Sequence, residues 1–274
     1  MDFSHLSTIA IKAALSAGKI ILKHLNDDVA VQLKDSTTNY ASQVVTEVDL
    51  KCEKEILAHL LPTCKQFNIA LLSEETEDDG GRFEKDFFWC IDPIDGTLAF
   101  INKHPGFSVS IALIAKDGTP YIGVVYNPST NTVYHAIKGK GVFKNNKPFV
   151  INTINTHLTY VSDKKLSDTP RAAEIEKILH KKAAALKLNG IKEIAGAGSV
   201  LNAIYVLENG PACMLKLPKK ENGGGSIWDY AATACLFNEL GLPATDFNGG
   251  RLDLNKKKNS FMNHRGVFYS NFKY

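Results

Sequence analysis

A run of bulky apolar residues that ends in two aspartates constrains this chain more than any other feature. Residues 87–91 are all aromatic or aliphatic apart from one cysteine, which predicts a short strand buried on both faces. Asp92 follows this run directly, and Asp95 comes three residues later. A buried carboxylate is costly unless a cation compensates its charge. The fold must therefore bring a positive charge to the end of this strand.

The two aspartates lead into Gly96 and Thr97, which together predict the start of a helix. The first turn of a helix exposes backbone N–H groups and carries a partial positive charge, so it favours a phosphate. Pro93, Asp95 and Gly96 would also suit a plain turn. However, the apolar run that leads to Asp92 is expected to be buried, which argues against a simple surface turn. A metal ion and an anion would meet here within a few residues.

Other acids stand next to predicted elements. Glu74 and Glu75 follow an apolar run, Asp49 starts a helix predicted over Val48–Leu61, and Asp229 lies in a helix predicted over Ile227–Leu240. Each has a structural alternative: a capping box for Asp49, a helix-dipole acid for Asp229, and a solvated loop for the glutamates. Oxygen ligands with no nearby His or Cys favour Mg²⁺ over Zn²⁺. Carboxylates around two or more Mg²⁺ ions, beside a phosphate cradle, would suit hydrolysis of a phosphate monoester by activated water.

The remaining pattern predicts an α+β fold. The N-terminal stretch has apolar residues at helical spacing, and Pro62 is expected to end the second helix. Strict alternation from Phe107, continued by three further runs up to Val150, predicts an antiparallel meander. Strands and helices then alternate. With a boundary near Asn152 to His157, residues 1–155 form an N-terminal α+β half with the metal-binding motifs, and residues 156–274 an α/β half that completes the site.

Composition limits the partners. A formal net charge of +3 gives no reason to expect a nucleic-acid polymer, and no run approaches the roughly 18 apolar residues of a membrane span. The five cysteines form an odd set without CxxC spacing and lie mostly in apolar runs. They indicate reduced thiols and a cytoplasmic protein.

Four motifs in this order resemble the inositol monophosphatase superfamily of Mg²⁺-dependent, lithium-sensitive phosphatases: VTEVD ending at Asp49, SEE at 73–75, DPIDGT at 92–97 and WDYAA from Trp228. The resemblance covers the whole chain and implies a layered α-β-α-β-α sandwich. It implies a first Mg²⁺ held by Glu74, Asp92 and the backbone carbonyl of Ile94. A second would be held by Asp92, Asp95 and Asp229, with a third, weaker ion near Glu74.

The same resemblance implies catalytic roles. Thr97, paired with Asp49, would position and help deprotonate the attacking water, and the backbone amides of Gly96 and Thr97 would hold the phosphate. Glu74 belongs to this catalytic set as well as to the metal ligands. The expected partner is a small phosphorylated metabolite, and a homodimer is left open.

Within the superfamily, three segments resemble the 3'(2'),5'-bisphosphate nucleotidases of the CysQ type: DPIDGTLAFI, YVSDKK at 160–165 and SFMNHRGVFYS at 260–270. Gly198 and Ser199 match a turn that lines the substrate pocket of the family. Asn222 stands where inositol phosphatases present a carboxylate, and Lys219 is a candidate for a second phosphate, against the alternative of a solvated lysine pair. The first expected reaction converts adenosine 3',5'-bisphosphate to AMP and phosphate. Inositol 1-phosphate, or fructose 1,6-bisphosphate, is the alternative substrate.

Two other classes of protein share part of this pattern. An Asp followed by DGTL is also similar to haloacid dehalogenase-type phosphatases, which use a covalent aspartyl phosphate. In those enzymes one residue separates the two aspartates, whereas two residues separate Asp92 from Asp95 here. A metal- or phosphate-binding module without turnover is the non-enzymatic alternative, and the presence of both Thr97 and Asp49 favours catalysis over it.

Overall fold

The computed structural model describes residues 1–27, 31–33, 44–151 and 155–272. The helices are α1 (Phe3–His24), α2 (Glu47–Phe67), α3 (Thr97–Ile101), α4 (Ala172–Ala185), α5 (Ser199–Glu208) and α6 (Ile227–Glu239). The strands of the first half are β1 (Val31–Leu33), β2 (Val44–Thr46), β3 (Ala70–Ser73), β4 (Phe87–Asp95), β5 (Ser108–Ala115), β6 (Pro120–Asn127), β7 (Thr132–Ile137), β8 (Val142–Lys144) and β9 (Lys147–Pro148). Those of the second half are β10 (Leu158–Ser162), β11 (Ile191–Ala195), β12 (Ala212–Lys216), β13 (Ala244–Thr245) and β14 (Val267–Ser270).

Two sheets carry the fold. The larger has seven strands in the order β3-β4-β5-β6-β7-β8-β9, and all of its pairs are antiparallel except β3 with β4. The predicted meander is therefore confirmed. The smaller sheet has the order β11-β10-β12-β14-β13, in which β10 is parallel to both of its neighbours. Part of the predicted boundary, residues 152–154, lies outside the described residues.

The helices complete five layers. One face of the large sheet packs against α1 and α2, while α5 and α6 lie between its other face and the small sheet. The outer face of the small sheet packs against α4 through Ile175 and Leu179. Because each sheet buries two apolar faces, it needs helices or a second sheet on both sides. The α-β-α-β-α sandwich predicted from the sequence is confirmed.

The N-terminal helix belongs to the core. Leu6, Ala13 and Ile21 on one stripe of α1 are fully buried. By length and composition α1 alone among the described helices is apolar enough to cross a bilayer. In the fold, its stripe packs against α2 and β6, as in a core helix of a globular protein.

The second helix does not end at Pro62, so that prediction is wrong. Pro62 lies on the exposed face, and α2 continues to Phe67. The next residue, Thr63, is buried; its hydroxyl donates to the carbonyl of Leu60 at 2.7 Å and accepts from the indole of Trp89 at 2.9 Å. Proline costs helix stability chiefly by removing one backbone bond, and these contacts hold the last turn in place.

Strand β4 is longer than predicted. β4 runs through Asp95 instead of ending near Ile91, because Asp92 still pairs with Ser110 and Asp95 with Ser108 of β5. The pairing register shifts between the two aspartates, which is the signature of a bulge. Two residues separate Asp92 from Asp95 at this bulge. The two carboxylates nevertheless lie close together at the end of the buried strand.

Candidate active site

Three aspartates from distant parts of the chain converge. Asp92 and Asp95 end β4, and Asp229 lies in the first turn of α6; each offers a carboxylate oxygen within 4.8 Å of the others. Asp92 is 1% exposed and Asp95 4% exposed, while Asp229 is partly buried. The structure thus brings together the three acids that the resemblance assigns to the second metal.

The protein alone does not neutralise this cluster. Burial, followed by the negative charges of Glu74, Asp95 and Asp229, raises the pKa of Asp92 well above its ordinary value. Burial and the charge of Asp229 do the same to the pKa of Asp95. Burial also raises the pKa of Asp229, against the opposing charge of Lys216. Such groups are satisfied by a cation, and an all-oxygen donor set fits the hard ion Mg²⁺.

Glu74 approaches the cluster from the neighbouring strand. It follows β3 directly, and its N–H donates to the carbonyl of Ile91 at 3.2 Å. Its side chain hydrogen-bonds to Asp92. The parallel pairing of β3 with β4 explains this contact, since the carboxyl ends of parallel strands meet at one edge of a sheet. Glu74 lies beside the three-aspartate cluster, on its Asp92 side.

Asp95 is fixed by the start of α5. Its two oxygens accept hydrogen bonds from the N–H groups of Ser199 and Val200, each at 3.0 Å. A Cβ added at Gly198 would overlap the Asp95 carboxylate, so only glycine allows this close approach. Gly198 and Ser199, predicted as substrate contacts, line the cleft and also support a metal-ligand candidate.

Asp49 and Thr97 meet as predicted. The Thr97 hydroxyl lies 3.3 Å from Oδ1 of Asp49 and 3.0 Å from the carbonyl of Ile94. Oδ2 of Asp49 accepts from the hydroxyl and N–H of Thr46, which closes the capping box of α2. The structural interpretation of Asp49 is therefore confirmed and is compatible with the functional one, because the capping box leaves Oδ1 beside Thr97. Asp229 also forms a capping box, with Ser226.

Gly96 allows the chain to turn from β4 into α3. It has φ = 86°, a left-handed conformation, and an added Cβ would collide with the carbonyl of Gly106. Any residue with a side chain would be destabilised here by both the left-handed conformation and the collision. The turn places Thr97, which is 9% exposed, directly after the two aspartates.

Glu74 and the three aspartates of the cluster line one cleft of about 800 Å³. Asp49 is buried behind Thr97 and is not among the lining residues. The candidate residues that line it are Glu74, Asp92, Ile94, Asp95, Gly96, Thr97, Gly198, Ser199, Lys219 and Asp229. Asn222 is exposed and is not among the lining residues, so the structure does not bring it to the other candidates. It lies in the loop after β12, where the amide of Asn263 donates to the carbonyl of Lys219 at 3.1 Å.

Sequence reasoning missed two polar residues of the cleft. Lys216 ends β12, and its ammonium group lies 2.8 Å from Oδ2 of Asp163 and 2.8 Å from Oγ of Ser199. Asp163 was visible only as part of the YVSDKK segment. Lys216 follows an apolar run as Asp92 does, which was the available signal.

Comparisons with known proteins agree with this geometry. A family model described as the inositol monophosphatase family matches residues 2–270. Inositol monophosphatase 2 of Mus musculus is 30% identical over 256 residues, covering 90% of this chain and 81% of the relative. Nus factor SuhB of Pasteurella multocida is 31% identical over 251 residues, covering 88% and 85%. The crystal structure of the extragenic suppressor protein suhB from Bartonella henselae aligns with a TM-score of 0.72 at 24% identity, covering 97% and 94%.

The five-layered fold, its carboxylate-lined cleft and the matching family model together define a phosphatase. This chain belongs to the inositol monophosphatase family. That family uses Mg²⁺ and acts on small phosphorylated substrates such as inositol phosphate. The similarity to haloacid dehalogenase-type phosphatases is rejected, in agreement with the spacing of Asp92 and Asp95.

Proposed function

We propose that this chain hydrolyses the phosphate monoester of a small metabolite, using water as the nucleophile and Mg²⁺ as the cofactor. The observation that carries the proposal is the convergence of Asp92, Asp95 and Asp229 within 4.8 Å, at the mouth of a cleft large enough for a small metabolite. The products are inorganic phosphate and the free alcohol.

Two Mg²⁺ ions are proposed, the first held by Glu74, Asp92 and the Ile94 carbonyl, and the second by Asp92, Asp95 and Asp229. A third, weaker ion would lie near Glu74. When bound, Mg²⁺ lowers the pKa of water and offsets the charge of the phosphoryl group. The convergence of the three aspartates and the contact between Glu74 and Asp92 support this assignment.

The remaining steps belong to side chains and backbone. The Thr97 hydroxyl orients the attacking water and passes a proton to Oδ1 of Asp49, which lies 3.3 Å away. The N–H groups of Gly96 and Thr97 hold phosphate oxygens at the start of α3. Oδ2 of Asp49 accepts bonds from Thr46, so the carboxylate is held with one oxygen turned to Thr97. A module that only bound phosphate would not need this pair.

Two substrates are proposed. Adenosine 3',5'-bisphosphate is the first, because Lys216 and Lys219 place cations in the same cleft as the acids. Inositol 1-phosphate is the second, because relatives at about 30% identity bear the name inositol monophosphatase. The compartment is proposed to be cytoplasmic, since all five cysteines are free and burial raises the pKa of Cys213 to about 12.

The test is phosphate release from adenosine 3',5'-bisphosphate, inositol 1-phosphate and fructose 1,6-bisphosphate, each with Mg²⁺ and with EDTA. We expect Mg²⁺-dependent release from at least one of them, and the ranking of kcat/KM assigns the substrate. Release that persists in EDTA, or none from any ester with Mg²⁺ present, would reject the proposal.

A further inference from the structure

Lys216 occupies an unusual place for a lysine. Its side chain is 21% exposed, at the end of β12, and its ammonium group faces into the cleft between Asp163 and Ser199. An ammonium group has three N–H donors. Oδ2 of Asp163 and Oγ of Ser199 accept two of them, each at 2.8 Å. The Tyr230 ring lies 5.8 Å from the ammonium group, and the third donor has no hydrogen-bond acceptor among the described residues.

The lysine stays charged where it lies. Burial works to lower the pKa of Lys216, but the negative charges around it, Asp163 first, more than offset this and hold the pKa well above its ordinary value. A desolvated ammonium group is costly to keep. The ion pair with Asp163 offsets this cost, and it fixes the position of the ammonium group in the cleft.

Ser199 links Lys216 to the acid cluster. Ser199 accepts from Lys216 through its hydroxyl, and its backbone N–H donates to Oδ1 of Asp95. Lys216 also acts electrostatically on Asp229. Lys216 is therefore near enough to the acid cluster for one small substrate to contact both.

The other cations of the cleft are less well placed to select a ligand. Arg171 is exposed, and its guanidinium donates to Glu174 and to the carbonyl of Pro218, each at 2.8 Å. Lys164 is also exposed, and Lys219 lies on the loop after β12. Among the cleft cations that the structure describes, Lys216 alone lies on a strand, and two hydrogen bonds hold its ammonium group. A preorganised donor gives more selectivity than a mobile one.

We propose that Lys216 is a specificity-determining residue, which donates a hydrogen bond to a second anionic group of the substrate, and that Asp163 positions its ammonium group. The preferred substrate is then a phosphate monoester that carries a carboxylate or a second phosphate. This inference rests on the proposed phosphatase function and deepens it.

The test uses pairs of esters that differ only in the second group. Glycerol 3-phosphate and 3-phosphoglycerate differ by one carboxylate, and adenosine 3'-phosphate and adenosine 3',5'-bisphosphate by one phosphate. For each pair, the ratio of kcat/KM for the anionic ester to that for the other ester measures the preference. The two pairs together show whether carboxylate or phosphate is the better partner.

The variants are Lys216→Met, Lys216→Arg and a control, Lys192→Met, whose lysine is exposed on β11 outside the cleft lining. In the wild type we expect the ratio to exceed one in at least one pair. Lys216→Met should lower that ratio about tenfold or more, the effect of one charge-assisted hydrogen bond, chiefly through KM. Lys216→Arg should recover part of the ratio, and Lys192→Met should match the wild type.

Two results overturn the inference while leaving the phosphatase function intact. One is a wild type that hydrolyses both esters of each pair equally well. The other is a Lys216→Met variant that loses the same factor with both esters, which assigns Lys216 to structural support of Ser199 and Asp95. Absence of hydrolysis of any ester by the wild type would instead reject the proposed function itself.

Discussion

The backbone N–H of Ser199 donates a 3.0 Å hydrogen bond to Oδ1 of Asp95, across 104 positions of sequence. This bond joins the first residue of α5 to the last residue of β4. A carboxylate from the first half of the chain is therefore held by a helix start from the second half. The acid cluster depends on the docking of the two halves, since Asp229 also comes from the second.

Gly198→Ala tests this docking. The added methyl group would overlap the Asp95 carboxylate, so we expect the variant to lose at least tenfold in Mg²⁺ affinity. Calorimetric titration with Mg²⁺ measures the change. Gly139→Ala is the control, because Gly139 has a left-handed φ of 78° but open space around an added Cβ. Equal Mg²⁺ affinity in both variants would show that the packing at Gly198 does not set the ligand geometry.

Thr97 is expected to act in proton transfer. Thr97→Ala should lower kcat about a hundredfold or more, because the hydroxyl beside Asp49 is lost, and Thr97→Ser should retain most of the activity. The thermal shift on adding Mg²⁺ should remain in both variants. An alanine variant with wild-type kcat would contradict the proposed role of the pair formed by Thr97 and Asp49.

Asp92→Asn should stabilise the metal-free protein at neutral and alkaline pH. The pKa of Asp92 is raised above its unfolded value, so its contribution to stability is fully present only below the unfolded pKa and is lost as pH rises through the folded pKa. Asparagine carries no charge and can still accept the 3.1 Å bond from the N–H of Ile94. We expect Asp92→Asn to have a higher free energy of unfolding than the wild type at pH 8 in EDTA.

Urea unfolding in EDTA at pH 5 and pH 8 measures this effect. The gain from Asp92→Asn should be larger at pH 8 than at pH 5, and excess Mg²⁺ should reverse it, since Mg²⁺ stabilises only a protein that binds it. A gain that is equal at both pH values would mean that charge in the cluster is not the source of the effect.

The local patterns were sufficient for the main elements and for the two aspartates at the end of β4. Alternation from Phe107 predicted the meander, and the apolar run before Asp92 predicted a buried strand ending in carboxylates. These features depend on burial, which period and hydrophobicity reveal. The convergence with Asp229 was expected only from the resemblance, because spacing within a chain does not show which distant segments meet.

The failures share a physical cause. α2 passes Pro62 because Thr63 bonds to Trp89, and that partner is 26 positions away. Counting back from Asp229 could not show that Asn222 is exposed, on a loop that contacts Asn263 through Lys219. Lys216 was missed for the same reason, since nothing local to β12 indicates Asp163 or Ser199 as its partners. Contacts between distant segments decided each case.

Mg²⁺ binding to the wild type and to Asp95→Asn, measured by calorimetry at pH 8 with phosphate release assayed in parallel, tests the central claim most directly. The wild type should bind at least two Mg²⁺ ions and hydrolyse a phosphate monoester. Asp95→Asn should stay folded by circular dichroism, lose at least one of the ions and lose phosphate release, because Asp95 is one of the three converging carboxylates. An Asp95→Asn protein that binds Mg²⁺ and releases phosphate as the wild type does would contradict the account.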